Sequence, residues 1–156
     1  MANALEKLPP QSLEAEQSLL GAILLDKDVL FKVSDVLKSE DFYKSTHGTI
    51  YEAILDLSSR NEAIDILTLS ARLEEKNTLD QVGGRSTLAE LTNAVPTTAN
   101  AVQYARIIHR KATLRRLLAA AAKITELGYH EEDDLESILD EAQQNLYGVS
   151  QTYLRQ

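Results

Sequence analysis

A run of residues without glycine or proline, from Thr98 to Leu127, constrains the fold of this chain more than any other feature. Good helix formers dominate the run, and one helix of this length would extend about 45 Å at 1.5 Å per residue. Gly128 is well placed to end it, because glycine tolerates the backbone conformation found after a helix C-terminus. A loop at 129–133 leads into a second helix, predicted for about 134–147. Together the two segments predict a long antiparallel helical hairpin.

Shorter amphipathic segments precede the hairpin and predict a small bundle of about five helices. Ser12 can cap the first of them, and paired glycines at 83–84 separate the last two. Aromatic residues make up only 5% of the chain and tryptophan is absent, which leaves mainly leucine, isoleucine, valine and alanine for the core. Leucine and alanine favour helices over strands. The predicted fold class is therefore all-α, a small bundle followed by the hairpin.

The predicted domain organisation has four segments along the chain. They are a flexible N-terminal tail at 1–10, a globular helical subdomain at 11–97, the hairpin at 98–149 and the start of a linker at 150–156. The boundary near 97 follows from Pro96, whose ring disfavours helix in the residue before it.

Charge and composition argue against several classes of function. A formal net charge of −8 is unsuited to a broad phosphate-binding surface, which requires clustered lysine and arginine. The absence of cysteine excludes disulfides and thiolate metal sites. No apolar run is long enough to span a membrane, and we expect a cytoplasmic protein. His47, His109 and His130 are isolated, and no nucleophile–base set is visible, so we predict no catalytic, cofactor-binding or metal-ligating residues.

The apolar residues of the hairpin cover more surface than one partner helix can bury. On the first helix they recur at heptad-like spacing and are widened by further apolar neighbours. Burial is worth about 25 cal/mol per Å², so this surface is predicted to pair with another protein, in the first place a second copy. The alternative is that it docks on the chain's own bundle. The candidate contact residues are Ile107, Leu114, Leu117, Leu118, Ala121, Ile124, Leu135, Ile138, Leu139 and Ala142.

Charged residues are segregated along the hairpin, with cations near its base and carboxylates at its tip. Within one hairpin these groups lie at opposite ends, whereas two hairpins packed tip to base around a twofold axis would bring them together. The predicted orienting charges are Arg110, Arg115, Arg116, Glu131 and Asp134. The basic cluster also has a second interpretation, direct contact with DNA phosphates, although no aromatic stacking platform accompanies it.

Four stretches of the sequence, in the family's order, resemble the N-terminal domain of bacterial replicative DNA helicases of the DnaB family. The resemblance covers roughly residues 9 to 150. The stretches are Pro9 to Asp26, Asp41-Phe42-Tyr43 leading to His47 and Ile50-Tyr51, Leu79 to Gly84, and Ala94 to Asn100 leading to Tyr104-Ala105-Arg106-Ile107.

The resemblance implies a collar domain in a hexameric ring, built as a trimer of dimers through the hairpins, which also binds primase. A helicase loader is a further partner that it allows, and single-stranded DNA would be bound only through the full ring. Leu118 and Ile124 are then the favoured contacts with a partner or subunit. Glu14 is a candidate contact between domains.

The sequence contains no phosphate-binding loop, because none of its glycines is followed by lysine. The chain is therefore predicted not to hydrolyse ATP alone, and the resemblance assigns ATP and Mg²⁺ to a motor domain that the linker at 150–156 would join. An alternative function is a free-standing helical adaptor or helicase regulator that mimics the collar. A small helical DNA-binding regulator is a third class, against which the acidic balance argues.

Overall fold

The computed structural model describes residues 7–95 and 97–154, and all the regular structure within them is helical. A 3₁₀ turn at Ser39–Asp41 separates the second and third helices. The helices are α1 (Leu13–Leu25), α2 (Asp28–Val33), α3 (Ser45–Ser59), α4 (Ile66–Glu75), α5 (Gly84–Asn93), α6 (Ala101–Leu127) and α7 (Leu135–Leu154). The all-α prediction of a bundle followed by two long helices is confirmed. The predicted flexible tail falls largely on residues 1–6, which lie outside the described residues.

The chain divides into two compact units. The globular unit comprises residues 11–109, and the hairpin unit comprises residues 110–154 together with the N-terminal residues 7–10. The division falls within α6, whereas the sequence analysis placed the boundary near residue 97. The reason is that the first turns of α6 carry Ala101, Ala105 and Ile108 into the core of the globular unit.

The core of the globular unit is formed by α1 to α5, the segment between α2 and α3, and the first turns of α6. Helices α1 and α4 begin where local hydrogen bonds satisfy one of their first N–H groups. The Ser12 hydroxyl accepts a bond from the Ala15 N–H at 3.2 Å, and Asp65 and Thr68 form a reciprocal capping box at the start of α4. The largest fully buried apolar side chains are Leu19, Leu20, Ile23, Leu30, Leu37, Ile50, Tyr51, Ile54, Leu57, Leu69, Leu73 and Leu88.

The hairpin unit pairs α6 with α7 in antiparallel fashion. Near its tip, Leu127 of α6 and Ile138 of α7 line one cleft. Further along, Ala120 of α6 and Val149 of α7 line another. As residue numbers increase along α7, they decrease at the facing positions of α6, so the two helices run antiparallel.

The predicted end of the second hairpin helix, at about 147, needs correction, whereas the linker predicted to start at 150–156 stays a prediction. Helix α7 continues through Gly148 and ends at Leu154, so residues 150–154 are helical. Glycine costs only about 1 kcal/mol inside a helix relative to alanine. Val149 and Thr152 line a cleft with α6 on the far side of Gly148, and these contacts favour continuation of the helix. Residues 155–156 lie outside the described residues.

None of the helices within 7–95 and 97–154 combines the length and the hydropathy that a membrane span requires.

Helices α1 and α5 approach most closely at Gly21. A Cβ atom placed there would overlap the carbonyl oxygen of Leu91 and the Cγ2 atom of Val95. Because one of these atoms belongs to the backbone of α5, a side chain at this position can be accommodated only by moving the helix. Gly21 therefore fixes the distance between the two helices.

Replacing Gly21 with alanine should lower the free energy of unfolding by about 1–3 kcal/mol, the usual range for an overpacked core. Urea unfolding followed by circular dichroism measures the change. Gly148→Ala is the matched control. A Cβ atom at that position meets no other atom within 4 Å, and the substitution also removes a glycine from the interior of a helix. Equal midpoints for the Gly21→Ala variant and the native chain would show that α1 and α5 are not tightly packed.

Candidate protein-binding surface

The apolar side chains of the hairpin unit remain largely in contact with solvent. None of the 20 residues of α7 is buried. Leu118 on α6 is 55% exposed, and Leu135 and Leu139 on α7 are 66% and 55% exposed. Hence the pairing of α6 with α7 leaves these three leucines largely uncovered, whereas Leu127 near the tip is buried.

Away from the tip, α6 and α7 share a cleft that is lined partly by small side chains. Ala119 and Ala120 of α6 line a cleft that Gly148 and Val149 of α7 line from the other side. Leu118 lies about 150° around α6 from the midpoint of these two alanines, at 100° per residue. The return helix therefore occupies the alanine side of α6 and leaves the leucine side open.

Helix α7 likewise has two apolar faces. Ile138 and Val149 are half-buried and line the clefts shared with α6. Leu139 is turned about 100° from Ile138, and Leu135, Leu146 and Tyr153 lie near it on the same neighbouring face. All four residues of that face are exposed. The three leucines of this second face are thus more than half exposed among the described residues.

The structure brings all but one of the predicted contact residues into a single unit. Ile107 is the exception, because it lies in the globular unit, where it is partly exposed. In the hairpin unit the exposed members are Leu117, Leu118, Ala121, Leu135 and Leu139, and the half-buried members are Leu114, Ile124, Ile138 and Ala142. Their role in binding a partner stays a prediction.

The predicted orienting charges differ in their surroundings. Arg110 is exposed at the base of the hairpin, and Glu131 is exposed at the tip. Arg116 is half-buried and lines a cleft with α7. The Asp134 carboxylate accepts hydrogen bonds from the Ser137 N–H and hydroxyl, at 3.2 and 3.0 Å, and so caps α7.

Arg115 has a function that its local sequence does not reveal. Its Nη1 donates a hydrogen bond of 2.7 Å to the carbonyl oxygen of Pro10, 105 positions earlier in the chain. Arg115 therefore holds the N-terminal segment to α6, in addition to any contact with a partner.

Glu14 lies on the exposed side of α1, in the globular unit. It borders a groove between the start of α1, the end of α5 and the early turns of α6, with Asn93, Val95 and Tyr104 among the other lining residues. Its predicted contact with another domain stays a prediction.

Glu16, by contrast, is a buried structural residue that was not among the predicted site residues. Its side chain is only 1% exposed. The carboxylate accepts hydrogen bonds from the Tyr43 N–H at 2.7 Å and the Lys44 N–H at 3.3 Å, and lies 2.8 Å from His47 Nδ1. Glu16 thereby satisfies the backbone N–H groups of the two residues that precede α3. The burial of Glu16 could have been predicted from the sequence, because Glu16, Leu20 and Ile23 share the inner face of α1 at helical spacing.

A second buried polar cluster lies on the inner side of α3. The Tyr51 hydroxyl donates to the carbonyl oxygen of Leu37 at 2.9 Å, and burial, together with the charge of Asp41, raises the pKa of Tyr51 above its usual value. Asp41 accepts from the Lys38 N–H at 2.9 Å and lies 3.6 Å from His109 Nδ1. Both clusters are internal and present no reactive group to solvent.

Comparison with known proteins places these features in a family context. Residues 8–110 match the family model described as the DnaB-like helicase N terminal domain. The replicative DNA helicase DnaB of Geobacillus stearothermophilus is 45% identical over 146 residues, which are 94% of this chain and 32% of that protein. The chain therefore spans about a third of the length of this relative, and no more than about a third of the other curated relatives it matches.

Solved structures show the same fold. The N-terminal domain of DnaB helicase from Mycobacterium tuberculosis superposes with a TM-score of 0.86 at 42% identity, over 91% of this chain and 99% of that one. A DnaB-like replicative helicase, described together with its interactions with primase, gives a TM-score of 0.74 at 26% identity, over 88% of this chain and 31% of that one.

Glu16→Gln should lower the free energy of unfolding by about 2–3 kcal/mol, because an amide cannot accept all the bonds that the carboxylate accepts, and hydrogen bonds to a charged group are worth about 1.5–3 kcal/mol. Urea unfolding measures the loss. Glu14→Gln makes the same chemical change at an exposed position of the same helix, and should stay within about 0.5 kcal/mol of the native chain. Equal stabilities of the two variants would contradict a supporting function for Glu16.

Proposed function

The chain belongs to the DnaB-like helicase N-terminal domain family, and from this premise we propose that it is the collar domain of a hexameric replicative helicase. In this proposal the domain associates with copies of itself through the hairpin unit and provides a binding surface for primase. Its contribution is organisational, and ATP and Mg²⁺ chemistry belongs to a motor domain outside these residues. The cytoplasm of a bacterium is the proposed location.

The observation that carries the proposal is the uncovered leucine surface of the hairpin unit. Full burial of a leucine side chain is worth about 1.5–3 kcal/mol. Leu117, Leu118, Leu135 and Leu139 are all exposed, so covering them with a partner would stabilise an assembly by several kcal/mol before the cost of association. A face of this kind is typical of protein–protein contacts.

A second copy of the hairpin unit is the partner that the charges favour. Arg110 lies at the base, whereas Glu131 lies in the loop at the tip. The helix between Arg110 and Leu127 measures about 25 Å at 1.5 Å per residue, which is too far for these ends to pair within one hairpin. Two hairpins related by a twofold axis would bring each base to the other's tip. Exposed ion pairs contribute only about 0.2–1 kcal/mol each, so charge would set orientation and leucine burial would set affinity.

Primase is the proposed heterologous partner. The support is the solved DnaB-like replicative helicase that is described with its interactions with primase and shares this fold. We place the primase site across neighbouring copies of a trimer of dimers, so a single domain would bind primase weakly. A helicase loader, and single-stranded DNA held only by the full ring, complete the proposed partners.

Leu139→Asp should raise the dimer dissociation constant by about tenfold or more, since a buried charge replaces a central apolar contact. Sedimentation velocity over a concentration series measures this constant. Leu67→Asp is the matched control, because Leu67 is 65% exposed on α4 of the globular unit, and it should leave association unchanged. When the same three proteins are tested for binding to surface-immobilised primase, only Leu139→Asp should bind more weakly than the native chain.

Two outcomes would contradict the proposal. One is a native chain that stays monomeric at the highest concentration attainable. The other is equal association of the native chain and the Leu139→Asp variant.

A further inference from the structure

The segment Lys7–Pro10, which we name the strap, belongs to the hairpin unit although it lies at the opposite end of the sequence. It is fixed there by the 2.7 Å hydrogen bond from Arg115 Nη1 to the Pro10 carbonyl. Pro9 and Pro10 restrict its backbone further, because each proline ring fixes φ. The strap is thus held at a defined place on α6.

The side chains of the strap face solvent despite this anchoring. Leu8 is 77% exposed, and Lys7 is exposed beside it. Leu8 therefore adds little to the core of its own unit. An apolar side chain on a backbone that is already ordered loses less conformational entropy on binding than one on a mobile segment, so Leu8 is well suited to an intermolecular contact.

The surface that best complements the strap is the tip of a hairpin. Four consecutive carboxylates, Glu131 to Asp134, lie there between Tyr129 and Leu135, and all six residues are exposed. The strap carries a basic and an apolar side chain, Lys7 and Leu8, and Arg110 adds a cation at the base of the hairpin, whereas the tip combines acidic and apolar groups. Opposite charges across a contact favour correct pairing and orientation.

The tip of another molecule can come to the strap when two hairpins pair tip to base. Within one chain the tip begins after Leu127, about 18 Å along α6 from Arg115, where the strap is anchored.

We propose that the strap is a docking element for a second copy of this chain, in which Leu8 packs on the partner subunit's Leu135 and Lys7 faces the partner's acidic tip. This inference rests on the proposed self-association, and adds the N-terminal segment to its interface. A twofold axis gives each dimer two such contacts, one at each end of the paired hairpins. Arg115 is then a positioning residue that presents the strap.

Disulfide trapping tests the contact directly, because the chain has no native cysteine. The double variant Leu8→Cys/Leu135→Cys is oxidised under mild conditions and analysed by non-reducing electrophoresis. We expect a covalent dimer. The control Leu8→Cys/Leu67→Cys places the second thiol on an exposed leucine of the globular unit, and should stay largely monomeric.

Sedimentation of the native chain separates this inference from the function on which it rests. If the native chain dimerises in sedimentation but the double variant gives no covalent dimer, or the control is trapped equally, the strap contact is overturned and self-association stands. A trapped species with the mobility of a monomer shows that the strap meets its own tip, and also overturns it. A native chain that never dimerises overturns both proposals.

Lys7→Glu and Leu8→Asp give a second measurement on the unmodified interface. We expect Leu8→Asp to raise the dimer dissociation constant at least severalfold at all salt concentrations. Lys7→Glu should weaken association at low salt, with the difference shrinking as salt screens the charges. If both variants associate like the native chain, the strap lies outside the interface.

Discussion

The packing of α6 against α7 through small side chains is the feature on which the rest of this structure depends. Ala119 and Ala120 of α6 line a cleft with Val149 of α7, and such small residues bury little apolar area, which is what stabilises a helical pair in water. Leu118, Leu135 and Leu139 lie exposed instead on the outer faces of the two helices. We propose that another surface covers those leucines.

The globular unit has the opposite character. It has a core of fully buried apolar residues, and its internal carboxylates have defined partners: Glu16 holds the start of α3, and Asp41 lies beside His109. Buried apolar residues are thus concentrated in residues 11–109, whereas the proposed association rests on the hairpin unit. This division suits a domain of the DnaB-like helicase N-terminal family, in which a stable body would carry an arm for assembly.

The sequence predicts the helices well, because their limits are set by local chemistry. Leu127 ends α6 as expected, and the predicted break at the paired glycines lies between α4 and α5. The extension of α7 past Gly148 was missed, because tertiary contacts outweigh the cost of one glycine. The face of α6 that packs against α7 could not be predicted, because alanine and leucine are both apolar and the sequence pattern does not distinguish their faces. The bond between Arg115 and Pro10 joins distant parts of the chain and leaves no local pattern.

Amide hydrogen exchange, measured by mass spectrometry at low and high protein concentration, tests most directly whether a second copy covers the hairpin. Amide hydrogen exchange slows in helices that an interface protects from local opening. The account predicts that exchange in α7 and in the part of α6 after Arg110 slows as concentration rises, while exchange in the core helices of residues 11–109 stays constant. Exchange in α7 that is fast and independent of concentration would contradict it.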